Sequence, residues 1–302
     1  MLLFISVIFF FSCTDKNKKN VALNLGVMSS MDYLPLAVAE REGYFKETGL
    51  DIKIQKFYSA NERDAAFQSG NVDGVVIDYT GAVLQKSGGI DLRLTSKCDA
   101  PFYIVAGSET CIDSLPQLRG KKIAVSQNTV IDYCVDMALR SVGLNAENVD
   151  KVEINKIPVR FELLQNNKID ATGLPDPFAL MAANSGDKIL TDNSKLGLSI
   201  TGIMFTGKAL SDKNESIKKM YEAYNKGVEY IQSHSVGDVK DILIKEMGFT
   251  EEIVMKAVLP KYTKAEMPSD KDIQSVIDWL AERKLIEATF DKTMLLDDRF
   301  IK

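Results

Sequence analysis

Histidine is almost missing from this chain. Among 302 residues only His234 occurs, so a histidine-built metal site or a Ser/His/Asp triad would rest on one side chain. That side chain lies between Ser233 and Ser235, a context that reads as a solvated helix end. Cysteine is scarce too. Cys13, Cys98, Cys111 and Cys134 include no C-x-x-C pair, which leaves no zinc or redox motif. Tryptophan occurs once, at Trp279, with a helical spacing that points to core packing. Positive charge is not in excess: the formal net charge of −5 argues against a nucleic-acid partner. The apolar run at residues 1–12 falls short of the roughly 20 needed to cross a bilayer. After Asn20 there is no low-complexity segment and no short-period repeat.

What is present is ordinary for a folded globular chain: 45% hydrophobic and 26% charged residues. The apolar run ends in Ser12, and Cys13 follows directly. That pattern reads as a bacterial lipoprotein signal at 1–13, with cleavage before Cys13 leaving its thiol lipidated. An ordinary cleaved signal or an apolar strand is the plainer alternative. Residues 14–20 are polar and suit a tether. The expected location is the cell envelope, on the outer side of the cytoplasmic membrane and held by lipid alone. With Cys13 lipidated, three thiols remain, and a Cys98–Cys111 disulfide is one open pairing.

The organising stretch is Gly26-Val27-Met28-Ser29-Ser30-Met31-Asp32-Tyr33-Leu34-Pro35. Residues 21–27 read as a buried strand that stops in a small polar turn and feeds a helix. Pro35 suits a first helical turn, and Gly43 the left-handed position past its end. Residues 50–55 alternate apolar and polar, as a strand with one buried face does. Ser59-Ala60-Asn61-Glu62 has capping-box spacing. Strands are expected at 72–77, 92–95, 102–106, 121–125, 151–155 and 198–206, with helices at 130–142 and 159–167. From Glu215 the pattern turns to amphipathic helices, including 253–259 and 273–280. Strands alternating with helices imply mostly parallel sheets covered by helices.

Several motifs resemble a known family. Pro35 and Ala37, followed by Gly43-Tyr44-Phe45 and Gly49-Leu50-Asp51, are similar to the opening of the solute-binding proteins of ABC importers for sulfonates, nitrate and thiamine-pyrimidine precursors. Gly70 with Val72-Asp73-Gly74-Val75, Leu118-Arg119-Gly120-Lys121-Lys122-Ile123, and Asn166-Asn167-Lys168-Ile169-Asp170-Ala171 match further segments. The resemblance covers nearly the whole chain from residue 21. It implies the type II periplasmic binding architecture: an α/β protein of two lobes, each with a mostly parallel sheet flanked by helices, ending in a helical C-terminal tail. The first lobe would take 21–104 and 200–302, and the second 105–199. It also implies a monomer that closes on a small-molecule ligand and delivers it to a permease and its ATPase, with no chemistry, cofactor or metal. The competing reading is a pyrimidine-synthase-like enzyme on the same fold, although the cysteine-rich motif of those enzymes is absent. A sensor lobe is a third.

In open α/β sheets, ligands bind at the carboxyl edge of the strands. Four polar loops fall there, and they supply the expected ligand-binding residues Ser29, Ser30, Asp32, Tyr33, Asp78, Tyr79, Ser126, Asn128, Thr129 and Asp176. The helix opening after Thr129 favours an anion. Asp32, Asp78, Asp132 and Asp176 argue the other way, because no Arg or Lys occurs in any of the four loops. Carboxylates beside aromatic rings suit a flat cationic or N–H-bearing ligand, a thiamine-type pyrimidine or an amine, stacked on Tyr33, Tyr79 or Phe178. A sulfonate, taurine or nitrate-type anion is the alternative. Each acid also has a plain reading as a helix N-cap, and each tyrosine as lobe packing.

Overall fold

The apolar runs of the sequence pair into two five-stranded sheets. The computed structural model describes residues 22–301, so the expectations for Cys13, the signal and the tether lie outside the described residues. The strands are β1 Leu23–Met28, β2 Ile52–Phe57, β3 Gly74–Asp78, β4 Leu92–Cys98, β5 Phe102–Ala106, β6 Lys122–Val125, β7 Asp150–Glu153, β8 Ala171–Pro175, β9 Lys188–Asp192 and β10 Thr201–Thr206. The first sheet has the order β2-β1-β3-β10-β4, and the second β7-β6-β8-β5-β9.

The two sheets repeat one plan. In each, three strands pair in parallel at one side, and an antiparallel strand fills the fourth position: β10 between β3 and β4, and β5 between β8 and β9. Both antiparallel strands follow directly on a change of sheet. The chain leaves the first sheet through 99–101 and returns through 193–200. Every residue of β3 and of β8 is buried, as expected of strands covered on both faces. The edge strand β2 instead alternates, as its sequence does.

The helices are α1 Leu34–Arg41, α2 Tyr44–Glu47, α3 Ala60–Gln68, α4 Tyr79–Ser87, α5 Val130–Arg140, α6 Ile157–Gln165, α7 Phe178–Asn184, α8 Gly207–Asp212, α9 Asn214–Ser233, α10 Val236–Ile242 and α11 Asp270–Glu282. Their ends follow local chemistry. The Ser59 hydroxyl accepts from Glu62 N–H at 3.3 Å and starts α3. Gly43, at φ 78°, turns the chain between α1 and α2. His234 closes α9 at the surface, stacked on Tyr230 with ring centres 3.8 Å apart.

Several local expectations change. The helix expected at 253–259 is a single 3-10 turn, Val254–Lys256; Pro260 disfavours helical geometry at Leu259. The strand expected from 198 begins at Thr201. Strand β9, one edge of the second sheet, carries no clear alternation and was not expected. Cys98, Cys111 and Cys134 are free thiols, so the Cys98–Cys111 pairing is not made. Among the described residues, no helix is long and apolar enough to cross a membrane.

The helical tail ties the halves together. Helix α11 packs on α4 of the first lobe and reaches α5 of the second. Trp279 Nε1 donates to Asp136 at 2.9 Å, and the Trp279 ring meets Tyr133 edge-on at 5.4 Å. Arg283 pairs with Asp132 at 3.0 Å and with Asp136 at 3.2 Å. One apolar cluster consequently runs from Val75 and Tyr79 through Trp279 and Tyr133 to Ile123.

Candidate functional site

The carboxyl ends of β1, β3, β6 and β8 converge on a cavity between the two sheets. It is small: about 50 Å³ is open to the centre of a water-sized sphere, room for a few waters at roughly 10–15 Å³ each. From the first lobe, Ser30, Asp32, Arg63, Asp78 and Thr201 line it. Ser126, Thr129, Asn155 and Arg160 line it from the second.

The first-lobe wall is built from strand ends. After β1 the chain turns at Ser29 and Ser30, and the Ser30 hydroxyl donates to the Asp32 carboxylate. Asp32 is buried, and burial raises its pKa to about 6, against the pull of the Ser30 hydroxyl and the Arg63 charge. Asp78 ends β3 and caps α4, accepting from Gly81 N–H at 2.8 Å and from the Thr80 hydroxyl. Capping and cavity lining thus coexist in one carboxylate. Arg63, from α3, reaches Asp78 at 3.2 Å and Asp64 at 2.8 Å. Burial opposes its charge, but the two carboxylates outweigh that and raise its pKa.

The second-lobe wall carries the deciding group. Ser126 donates to Asn155 Oδ1 at 2.9 Å. Thr129 caps α5, with its hydroxyl donating to Ser126 O at 2.8 Å. Arg160, in the second turn of α6, is 1% exposed. Its Nη1 donates to Ile154 O at 2.8 Å and Asn155 O at 3.5 Å, and its Nε to Gly173 O at 3.4 Å. No carboxylate among the described residues pairs with it, and Nη2 has no hydrogen-bond partner there. Burial alone pulls the guanidinium down to about 10. A buried charge without a counter-charge is costly. The Thr201 hydroxyl, also on the wall, is buried and has no hydrogen-bond partner among the described residues.

Of the residues expected from sequence, Ser30, Asp32, Asp78, Ser126 and Thr129 line the cavity, whereas Ser29, Tyr33, Tyr79, Asn128 and Asp176 do not. Tyr33 and Tyr79 do not offer stacking faces to it: both rings are packed into lobe cores, and the Tyr79 hydroxyl meets Ser199 at 3.2 Å. Phe178 packs against Phe161 instead. Asp176 accepts from the Tyr103 hydroxyl at 3.3 Å and from Leu180 N–H at 3.2 Å, and burial raises its pKa to about 6. Asn128 turns the chain at φ 61° and accepts from Arg283 at 3.3 Å. Asp132 is withdrawn from the mouth by Lys151 and Arg283.

The expectation of acids without a base is therefore corrected. Arg63 and Arg160 enter the cleft from helices, not from the strand-end loops where basic residues were sought. The available signal was a lone arginine inside the apolar run Ile157-Pro158-Val159-Arg160-Phe161.

Comparison with known proteins gives the family and the fold of the chain. The family model described as NMT1/THI5 like matches residues 30–237. The chain belongs to that family. YtlA of Bacillus subtilis, named as a binding protein, is 21% identical over 292 residues, covering 88% of this chain and 81% of YtlA. The ligand-binding component of an ABC-type import system from Staphylococcus aureus, solved with zinc bound, superposes with a TM-score of 0.80 at 11% identity, over 93% of this chain and 97% of that one. The alkanesulfonate-binding protein SsuA from Xanthomonas axonopodis pv. citri, solved with MOPS, gives a TM-score of 0.75 at 15% identity, over 88% and 94%. At such identities the likeness to the solved structures is one of fold: the two-lobed α/β periplasmic binding fold. Among the described residues of this family member, no cluster of three or more His, Cys, Asp or Glu could hold a metal.

Proposed function

We propose that the protein is the solute-binding component of an ABC importer, closing two lobes on a small organic acid and passing it unaltered to a permease and its ATPase. The carrying observation is Arg160, a buried cation on the cavity wall with no carboxylate partner among the described residues. An acid group of the solute would supply the missing counter-charge, and a guanidinium suits the planar or tripodal oxygens of a carboxylate or sulfonate. Thr201 adds a free hydroxyl. Asp32 offers an acceptor on the opposite lobe, so an amine or N–H group elsewhere on the solute has a partner.

The thiamine-pyrimidine reading keeps the support of Asp32 and Asp78. It loses the stacking faces, since Tyr33 and Tyr79 lie in the cores and, among the described residues, Phe102 alone brings an aromatic ring to the cavity wall. The acid is therefore placed first, with an amine-bearing or aminopyrimidine solute second. In the same reading the mature protein is a monomer, tethered outside the cytoplasmic membrane by lipid on Cys13.

A thermal-shift panel tests this. Taurine, alkanesulfonates and short carboxylates are expected to raise the melting temperature, and an aminopyrimidine to do so less. At a hundredfold excess over Kd the gain is about 2.7 kcal/mol. Arg160→Met should leave a folded protein whose affinity for acids drops by about 2–5 kcal/mol. Stabilisation by the aminopyrimidine alone, unchanged in Arg160→Met, would reverse the order of the two readings.

A further inference from the structure

Besides the two crossings, the lobes meet at contacts that differ in kind. Helix α11 stands next to the returning crossing, where Ser199 N–H donates to Asp272 at 3.2 Å. From there it meets α5 of the second lobe. The Tyr133 hydroxyl lies 2.7 Å from that of Ser275, and Trp279 and Arg283 reach Asp136 and Asp132. Asp132 is 0% and Trp279 1% exposed, and the apolar cluster around them is continuous from lobe to lobe. Parting α5 from α11 would strip two buried carboxylates of a cation and wet that cluster, which is costly.

The contact made by α7 is shallow. The stretch 249–262 of the tail supplies Phe249, Ile253, Val254 and Ala257 to the other apolar cluster of the first lobe. The second-lobe side chains packed on that cluster are Leu180 and Met181 of α7, both half-buried. One turn on, the exposed Asn184 bridges two exposed residues of the same stretch: its Nδ2 donates to Glu252 at 2.7 Å, and its Oδ1 accepts from Lys256. None of these α7 side chains lines the cavity. At the far edges of the sheets, Glu62 after β2 and Lys156 after β7 face each other at 3.9 Å, also exposed. Separating either contact returns polar groups to water that already reaches them, at small cost.

We infer that the lobes swing apart about the α5–α11 contact, and that Leu180, Met181 and Asn184 form a latch, made only in the closed form, that sets how tightly any solute is held without touching it. The inference rests on the lobe-closure reading of the function and not on the choice between an acid and an aminopyrimidine. Such a latch shifts one open–closed balance, so it scales the affinity for every solute by the same factor. A group on the cavity wall, such as Arg160, instead favours one solute over another.

Trp279 is the one tryptophan of the chain, so its emission reports the α5–α11 contact alone. In the ligand-free protein, acrylamide should leave it unquenched while small-angle scattering gives a radius of gyration larger than that of the closed structure. Quenching like that of an exposed indole, or a radius equal to the closed value, overturns the inference independently of any solute. Calorimetric titration with propionate, propanesulfonate and 4-aminopyrimidine tests the latch in the wild type, in Met181→Ala, in Asn184→Ala and in the double variant. Every solute that binds is expected to lose affinity by one common factor, about three- to tenfold in the double variant, with the ratios between solutes unchanged. Glu252→Ala, on the opposite side of the latch and fully at the surface, should repeat the loss seen in Asn184→Ala. Affinities that none of these variants alters, or a loss confined to one solute, would sink the latch and leave the acid reading intact. Binding of the aminopyrimidine alone, unmoved by Arg160→Met, would overturn the acid reading, while its weakening in the double variant would still support the latch.

Discussion

Two side chains set the electrostatics of the cleft, and their burial pushes both toward neutrality. Arg160 is pulled down to about 10 and Asp32 raised to about 6. For Asp32 the sign matters. Its folded pKa lies above the ordinary 3.8, so between about pH 4 and pH 6 the native state binds more protons than the unfolded chain. Its contribution to stability therefore falls as pH rises through that window and is flat above it. Asp176, also raised to about 6, adds in the same direction. Asp32→Asn removes one of these burdens and keeps an acceptor for the Ser30 hydroxyl. Urea unfolding should show Asp32→Asn and wild type equal near pH 4, with the variant more stable by about 1–3 kcal/mol at pH 7. A constant difference across the range would assign Asp32 an ordinary pKa. At this scale the sequence was half legible. Ser30, Asp32, Asp78, Ser126 and Thr129 could be read because strand-to-helix turns at a sheet's carboxyl edge are local features. Arg63 and Arg160 could not, because a helix interior gives no sign of which lobe or cavity it will face.

Among the elements, close approach of α1 and α9 depends on Gly227. A Cβ there would lie 2.2 Å from Pro35 O, which is backbone and cannot swing aside. Gly227→Ala should therefore destabilise the protein by about 1–3 kcal/mol, although alanine is the better helix former. Denaturant midpoints compared with an exposed substitution in the same helix, such as Glu222→Ala, check this. The α5–α11 contact is the other decisive pairing. Asp136 accepts from Trp279 at 2.9 Å and Arg283 at 3.2 Å, and holds Lys151 at 2.6 Å. Trp279→Phe keeps the ring packing and removes one donor, so a loss of about 0.5–1.5 kcal/mol is expected in the same assay. The long amphipathic helices were plain in the sequence, because burial on one face imposes its period on the residues. The tail segment around 253–259 was not. Its Ile253, Val254 and Ala257 are buried in a stretch that makes only one 3-10 turn, and apolar spacing alone does not separate that from a helix.

For the whole molecule, the cavity draws its walls from both sheets, so a solute that touches Asp32 and Arg160 together must favour the closed arrangement over an open one. Small-angle scattering should show the radius of gyration decreasing when a binding acid is added, and staying constant for Arg160→Met. A radius that never changes would mean that α11, which spans the lobes through Trp279 and Arg283, keeps them fixed. The fold class could be read from the chain itself. Alternating strands and helices, interrupted by a second copy of the pattern, leave few ways to cover two mostly parallel sheets, and the burial of strands such as β1 and β3 is written in their own apolar runs. What the chain could not disclose is the pairing of distant groups. Arg63 and Arg160 share a cavity with Asp32 across some 130 residues, Asp132 is claimed by Lys151 and Arg283, and Tyr79 is turned into a core against β10. Charge balance in a buried site is a sum over every neighbour in space, and only the tertiary structure says who those neighbours are.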